Sequence, residues 1–207
     1  MINFKATLNP VRLAAIVLCA VVLTGCGRSP AVKFYTLSPA PVVAEQAGAD
    51  LALAIGPAEF PRYLNRKQIV TRLSESQIRV DEYNVWSASL ESAFLAVLGD
   101  NLTSRLGTKN LAKYPAEPAF AADYRILFDI TEFEGVLGQR VTLKTRWTIV
   151  GPMRGEVVAS GLFEDTQTID GDDKSYDALA LAYSAAIGKL SDALSAQLLE
   201  LGKPAAE

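Results

Sequence analysis

The reactive residue types in this 207-residue chain are few. It has two cysteines, Cys19 and Cys26, and no histidine. Without imidazole there is no Ser-His-Asp triad, no Cys-His dyad and no histidine-based metal site. A carboxylate pair or a Ser-Lys dyad is the acid–base chemistry left open. Adjacent acids outside the alternating segments are Asp81-Glu82 and Asp172-Asp173. Both pairs sit where turns or helix starts are expected, so they read as solvated turn acids rather than as carboxylates tuned apart for catalysis. No glycine-rich loop stands between a strand and a helix, and no cysteine spacing suits a metal. The sequence therefore predicts a protein that is not an enzyme, with no catalytic, cofactor-binding or metal-binding residues.

Cys26 is the exception. The N-terminus carries Lys5 and Arg12, followed by the uncharged run LAAIVLCAVVL from Leu13 to Leu23. That run falls short of the roughly 20 apolar residues a spanning helix needs. A basic start, a short apolar run and small residues before a cysteine make an export signal. Leu23-Thr24-Gly25-Cys26 resembles a bacterial lipobox. In that motif the chain is cut between Gly25 and Cys26, and the cysteine receives a diacylglyceryl group and an N-acyl chain such as palmitate. The other readings are an ordinary signal peptide with a chance cysteine, or a buried N-terminal helix. Cleavage would remove Cys19 and acylation would consume Cys26, leaving no free thiol in an oxidising compartment. At ~0.8 kcal/mol per buried methylene, more than one chain gives stable anchoring. Gly27, rather than Asp, follows the cysteine and favours the outer membrane over inner-membrane retention. The expected organisation is a removed signal over 1–25, a lipidated tether over 26–33, a single α/β domain over 34–202 and a tail over 203–207.

Removing 1–25 leaves 18 basic and 23 acidic residues, a net charge of −5. That balance and the envelope location argue against a nucleic-acid partner.

The rest of the chain reads as strands then a helix, twice. In the first half, Phe34–Leu37, Leu51–Ile55, Gln68–Leu73 and Gln77–Val80 suit short strands, the last two forming a hairpin around Ser74-Glu75-Ser76. Gly56-Pro57 looks like the end of the second. Apolar residues at three- and four-residue steps from Leu90 to Leu106 predict a helix capped by Ser87 and stopped by Gly107. In the second half, Asp123–Phe133, Gln139–Val150 and Glu156–Thr166 alternate. Val141, Leu143, Thr145, Trp147 and Ile149 share the face expected to be buried. A helix then runs from about Ser175 to Leu201, with Tyr176 and Tyr183 on its apolar stripe. The fold class is α+β: an antiparallel-rich sheet covered by two long helices in a two-layer sandwich.

For a binding surface, the segment Phe60–Arg72, FPRYLNRKQIVTR, stands out. Arg62, Tyr63, Leu64, Arg66 and Lys67 mix exposed-looking aromatic and apolar residues with cations, as interfaces do. The alternative is a loop packed on its own domain with solvated charges. The cationic stripe Arg140, Lys144 and Arg146 reads as a soluble outer sheet face.

Taken in order, the lipobox with FYTLSP after it, IGPAEFPRYLNRKQIVTR, NVWSASLESAFLAVLGDNL, VTLKTRWTIV and SYDALALAYSAAIGKLSDAL resemble the ABC-type transport auxiliary lipoproteins. That family includes the lipoprotein subunit of the paraquat-inducible system. Ser89 departs from the proline frequent at that helix start. The resemblance implies a non-catalytic subunit of an envelope transport system. Its partners would be an inner-membrane permease or ABC complex and a periplasm-spanning MCE-domain protein. The lipoprotein would anchor or receive the MCE component at the periplasmic face of the outer membrane, supporting transport of lipid or hydrophobic compounds and membrane integrity. Contact through the same segment could instead be homo-oligomeric. The competing reading is a periplasmic carrier that holds an acyl chain between sheet and helices, which needs an apolar cavity of some hundreds of Å³. An envelope hydrolase is a third class without a supporting feature.

Overall fold

Long alternating segments make long strands, and the three in the C-terminal half set the geometry of the whole sheet. The computed structural model describes residues 30–41, 50–115, 120–153, 155–169 and 175–203. Along the chain lie β1 (Lys33–Tyr35), β2 (Ala52–Glu59), a 3₁₀ turn (Arg62–Leu64), β3 (Gln68–Arg72), β4 (Ile78–Trp86) and α1 (Leu90–Leu106). These are followed by β5 (Asn110–Lys113), β6 (Tyr124–Val136), β7 (Arg140–Val150), β8 (Val157–Thr168) and α2 (Tyr176–Leu201). Cys26 and Gly25 lie outside the described residues, as does Asp172-Asp173.

The architecture is α+β, an eight-stranded sheet with two helices, and strands precede a helix twice as expected. β6 is its hub. One side pairs antiparallel with β7 along its length, and β7 pairs antiparallel with β8. The other side is divided: its N-terminal half pairs parallel with β2, and its C-terminal end pairs parallel with β3 at Thr71 and Gly135. Beyond β6 the sheet therefore forks, into β2–β5 on one branch and β3–β4–β1 on the other. The antiparallel pairs carry the long ladders; the parallel ones join segments distant in sequence.

Two local expectations are corrected. Ser89, not Ser87, caps α1: its Oγ accepts from Ser92 N at 3.1 Å. Ser87 N instead donates to Tyr35 O at 2.8 Å, just past the end of β4. Nor does Gly56-Pro57 end β2, which runs on to Glu59. The β2–β6 register shifts between Ile55 and Ala58, so the proline sits where the ladder is already interrupted. Gly107, at φ 68°, does stop α1.

The helices lie side by side on the sheet, and aromatic rings fill the space between. Phe94 on α1 meets Phe128 and Phe133 on β6 at 5.5 and 6.1 Å between centroids. Tyr183 on α2 meets Phe133 at 4.5 Å and Trp86 at 5.3 Å. Burying such rings, with ~0.5–1.5 kcal/mol per pair beyond area, dominates the stability of this layer. Tyr183 is thus a core residue; its OH donates to Phe133 O at 3.3 Å. Trp147 shares the face of Val141, Leu143 and Ile149, as alternation predicts, but is only half-buried. Next to it is the edge strand β8. There Gly161 makes room for the indole: a Cβ on Gly161 would stand 2.5 Å from Trp147 Cζ2.

Candidate functional site

The predicted interface segment leaves the end of β2 and crosses to β3 over the fork in the sheet. Phe60 turns inward against Phe94 at 5.7 Å and Phe133 at 6.4 Å. Pro61 is extended, with φ −52° and ψ 133°, and its carbonyl accepts from Leu64 N at 2.9 Å, closing the 3₁₀ turn. Leu64 is 4% exposed. At the far end Lys67 O accepts from Trp86 N at 2.7 Å. The segment is therefore fixed at both ends by core residues or the sheet backbone.

Between those ends it is held by a buried carboxylate. Glu134, on β6, has a side chain only 3% exposed. Arg72 approaches it in a fork, Nε donating to Oε2 at 2.6 Å and Nη2 to Oε1 at 2.8 Å. Tyr63 OH donates to the same Oε1. Arg72 Nη1 also donates to Glu75 O at 2.9 Å in the β3–β4 hairpin. Such charge-assisted, bidentate geometry is the strong form of this interaction. Burial, then the bond to Glu134, push the Tyr63 hydroxyl up to about 12. Hydrogen bonding to Glu134 holds the Arg72 guanidinium more firmly protonated than usual. Burial, then the charges of Glu134 and Tyr63, likewise push the Tyr183 hydroxyl upward.

This geometry divides the five predicted interface residues. Arg62, on the 3₁₀ turn, and Arg66 and Lys67, just after it, are exposed. Tyr63 and Leu64 do not face solvent as expected. Leu64 is a core residue, and Tyr63 is half-buried and spent on Glu134. Apolar Leu64 gains more from the core than from water, and the Tyr63 ring covers a carboxylate that would otherwise be left short of partners. Sequence reasoning missed Glu134. The only signal was an acid among apolar residues in FEGV at the end of an alternating strand.

The acid pair Asp81-Glu82 is also partly structural. Asp81 Oδ1 accepts from Tyr83 N at 2.9 Å, Asn84 N at 2.8 Å and Asn84 Nδ2 at 2.9 Å; Oδ2 accepts from Tyr176 OH at 2.9 Å. Burial works against its charge, yet these donors outweigh it and hold the carboxyl below the usual range. Asp81 is thus a half-buried acceptor organising a β4 bulge rather than a solvated turn acid. On the outer sheet face, Lys144 pairs with Glu164 at 3.0 Å and Glu132 at 3.5 Å.

Among the described residues no group of His, Cys, Asp and Glu could hold a metal ion, and no helix is long and apolar enough to cross a membrane. The described clefts open at the surface. One, of about 370 Å³, lies beside the segment, between Phe60, Leu64, Ser89, Leu90 and Tyr114.

A family model described as "ABC-type transport auxiliary lipoprotein component" matches residues 35–195. No curated protein matches. Solved structures that share the fold include the following two. An uncharacterized protein is 17% identical, with a TM-score of 0.66 over 81% of this chain and 99% of its own. Protein XCC0632 from Xanthomonas campestris is 16% identical, with a TM-score of 0.63 over 79% of this chain and 93% of its own.

Proposed function

Because the chain belongs to the family of ABC-type transport auxiliary lipoprotein components, a family of the cell envelope, we propose that it works there as a non-catalytic adaptor. In this reading the chain is cut after Gly25, and Cys26 carries diacylglyceryl and N-acyl chains. These hold the domain at the periplasmic face of the outer membrane. The domain anchors or receives a periplasm-spanning MCE-domain protein, itself joined to an inner-membrane permease or ABC complex, so that lipid or another hydrophobic compound can cross the envelope.

The observation that carries the adaptor reading is the clamped segment at the fork. A loop fixed by Phe60, Leu64, Tyr63–Glu134 and Lys67–Trp86 presents Arg62, Arg66 and Lys67 at little further entropic cost on binding. The carrier alternative has less support, since Phe94, Phe128, Phe133, Trp86 and Tyr183 occupy the layer where an acyl chain would lie.

Reversing the exposed charges tests the adaptor. Arg62→Glu, Arg66→Glu and Lys67→Glu together should leave the melting temperature nearly unchanged and sharply reduce co-purification of the MCE-domain protein. Undiminished co-purification with an intact fold would remove this segment from the interface, and light scattering on the same variant reads any homomeric contact.

A further inference from the structure

We propose that the outer face of the β1–β4 edge is the membrane-contacting surface of the domain, resting in the headgroup region of the bilayer that holds the anchor. The inference rests on the proposed acylation of Cys26. Six residues, Gly27 to Val32, separate Cys26 from Lys33, the first residue of β1, which makes seven Cα-to-Cα steps. Fully extended they span at most about 25 Å. A folded unit of this size is on the order of 40 Å across. The tether is therefore too short to let the far side of the domain meet the membrane.

The point where the tether arrives is itself clamped. Tyr35 OH donates to Asn84 Oδ1 at 2.8 Å, and β1 pairs in parallel with Asn84–Trp86. Past β1, Leu37 is buried, Ser38 N donates to Ser184 Oγ at 3.1 Å and Ala40 N donates to Asn101 Oδ1 at 2.9 Å. A pull on the tether is thus passed to the domain, and β1 does not act as a loose extension of the linker.

The residues at that point are unusual for a surface turned to water. Phe34 is 70% exposed, and Val32 and Tyr83 are also exposed. Tyr35 faces the core, so alternation puts Val32 and Phe34 on the outer face, and register sets Phe34 beside Val85. Tyr83 stands at the bulge organised by Asp81. Tyr83 lies two residues before Val85 on β4, so the bulge brings it to the same end of the edge as Phe34. Clustered apolar residues mark a contact surface where scattered ones would not. An aromatic pair at the rim of such a patch suits a membrane interface. The contact proposed here is apolar, and a neutral lipid surface should be enough for it.

The test uses the mature, acylated protein in phosphatidylcholine vesicles. Phe34→Cys, Tyr83→Cys and, at the opposite edge of the sheet, Leu162→Cys are each labelled with an environment-sensitive fluorophore. A thermal melt checks the fold. Emission at positions 34 and 83 should move to shorter wavelength and be quenched by doxyl-labelled phosphatidylcholine, unchanged by added salt, while position 162 stays in water. Acylated, vesicle-bound protein whose three probes behave alike would overturn the proposal. So would probes at 34 and 83 that are shielded yet unquenched, because a second copy or another protein would then cover the patch. Absence of the acyl mass on Cys26 would instead overturn the lipoprotein reading itself.

Discussion

Glu132 and Glu134 stand two residues apart on β6, and each meets a cation on a neighbouring strand. Glu132 lies 3.5 Å from Lys144, with the two side chains 34% and 40% exposed. Glu134 lies 2.6 Å from Arg72 and is 3% exposed. The difference comes from what each branch of the sheet does next. On the β7–β8 side no described residue covers the Lys144 pairing, and Lys144 shares itself between Glu132 and Glu164 in water. On the β3 side the 60–67 segment folds over the carboxylate, bringing Tyr63 as a third partner. The same pairing of charges thus serves two purposes. Outside the fork it keeps a sheet face soluble. Inside it, the pairing fixes the position of a surface loop that local sequence alone would leave free.

The largest effect should follow from removing the buried acid. Glu134→Ala leaves a partly buried guanidinium without its fork and a tyrosine hydroxyl without its acceptor. Breaking a buried pair by deleting one partner costs about 3–5 kcal/mol, and the one-third exposure of Arg72 moves the expectation to about 2–4 kcal/mol. Urea melts of wild type and variant measure it. Glu134→Gln, which keeps the shape and an acceptor but not the charge, should fall between. A loss for Glu134→Ala no larger than that for an exposed acid would dissolve the contrast between the two sides of β6.

That contrast was only half legible in the sequence. Lys144 and Arg146 alternate with Leu143, Thr145 and Trp147, so the open outer face could be read directly from a period of two. The two helices, the Gly107 stop and the β3–β4 hairpin were legible for the same reason: their signals are local. The buried cluster joins Tyr63 and Arg72 to Glu134 across 71 and 62 residues, and no periodicity spans that distance. The edge strand β5 was missed because Asn110–Lys113 is too short to alternate and exists by pairing in parallel with β2. The exposure assigned to Tyr63 and Leu64 failed for a related cause. A Pro-Arg-Tyr-Leu-Asn-Arg run has the composition of a surface loop. Only the fork in the sheet, set by β6 taking both β2 and β3 on one side, gives it a cavity to fill.

A smaller, pH-dependent effect should isolate Tyr63. Its hydroxyl pKa rises from 10 to about 12 on folding. A group whose folded pKa is raised contributes stability that is fully present below the unfolded value and is lost as pH climbs through the folded one. The contribution should therefore be intact below about pH 10 and decline toward pH 12. Tyr176 and Tyr183 titrate upward as well, so wild type alone cannot assign the loss. Tyr63→Phe keeps the ring and removes the hydroxyl. It should cost ~1–2 kcal/mol at neutral pH, as an acceptor on a buried carboxylate goes unmet. The gap between wild type and variant in urea midpoint should then narrow as pH rises from 10 to 12. A gap that stays constant across that window would mean the hydroxyl does not bond Glu134 in solution.

The smallest effect belongs to the other side of β6. Lys144 gains a raised pKa, first from its hydrogen bond to Glu164 and then from the charge of Glu132, so the pairing favours the folded state until the ammonium titrates. Yet all three side chains keep extensive contact with water. Exposed pairs of this kind give up in side-chain entropy most of what they gain in attraction, and salt screens the remainder. Lys144→Met retains the aliphatic stem that lies along β7 and deletes only the charge. Its urea midpoint should coincide with that of wild type at moderate salt, with a small separation emerging at low ionic strength. A loss comparable to that of Glu134→Gln would show that the outer face of the meander is covered in the assembled protein. Lys144 would then belong to an interface rather than to the solvent.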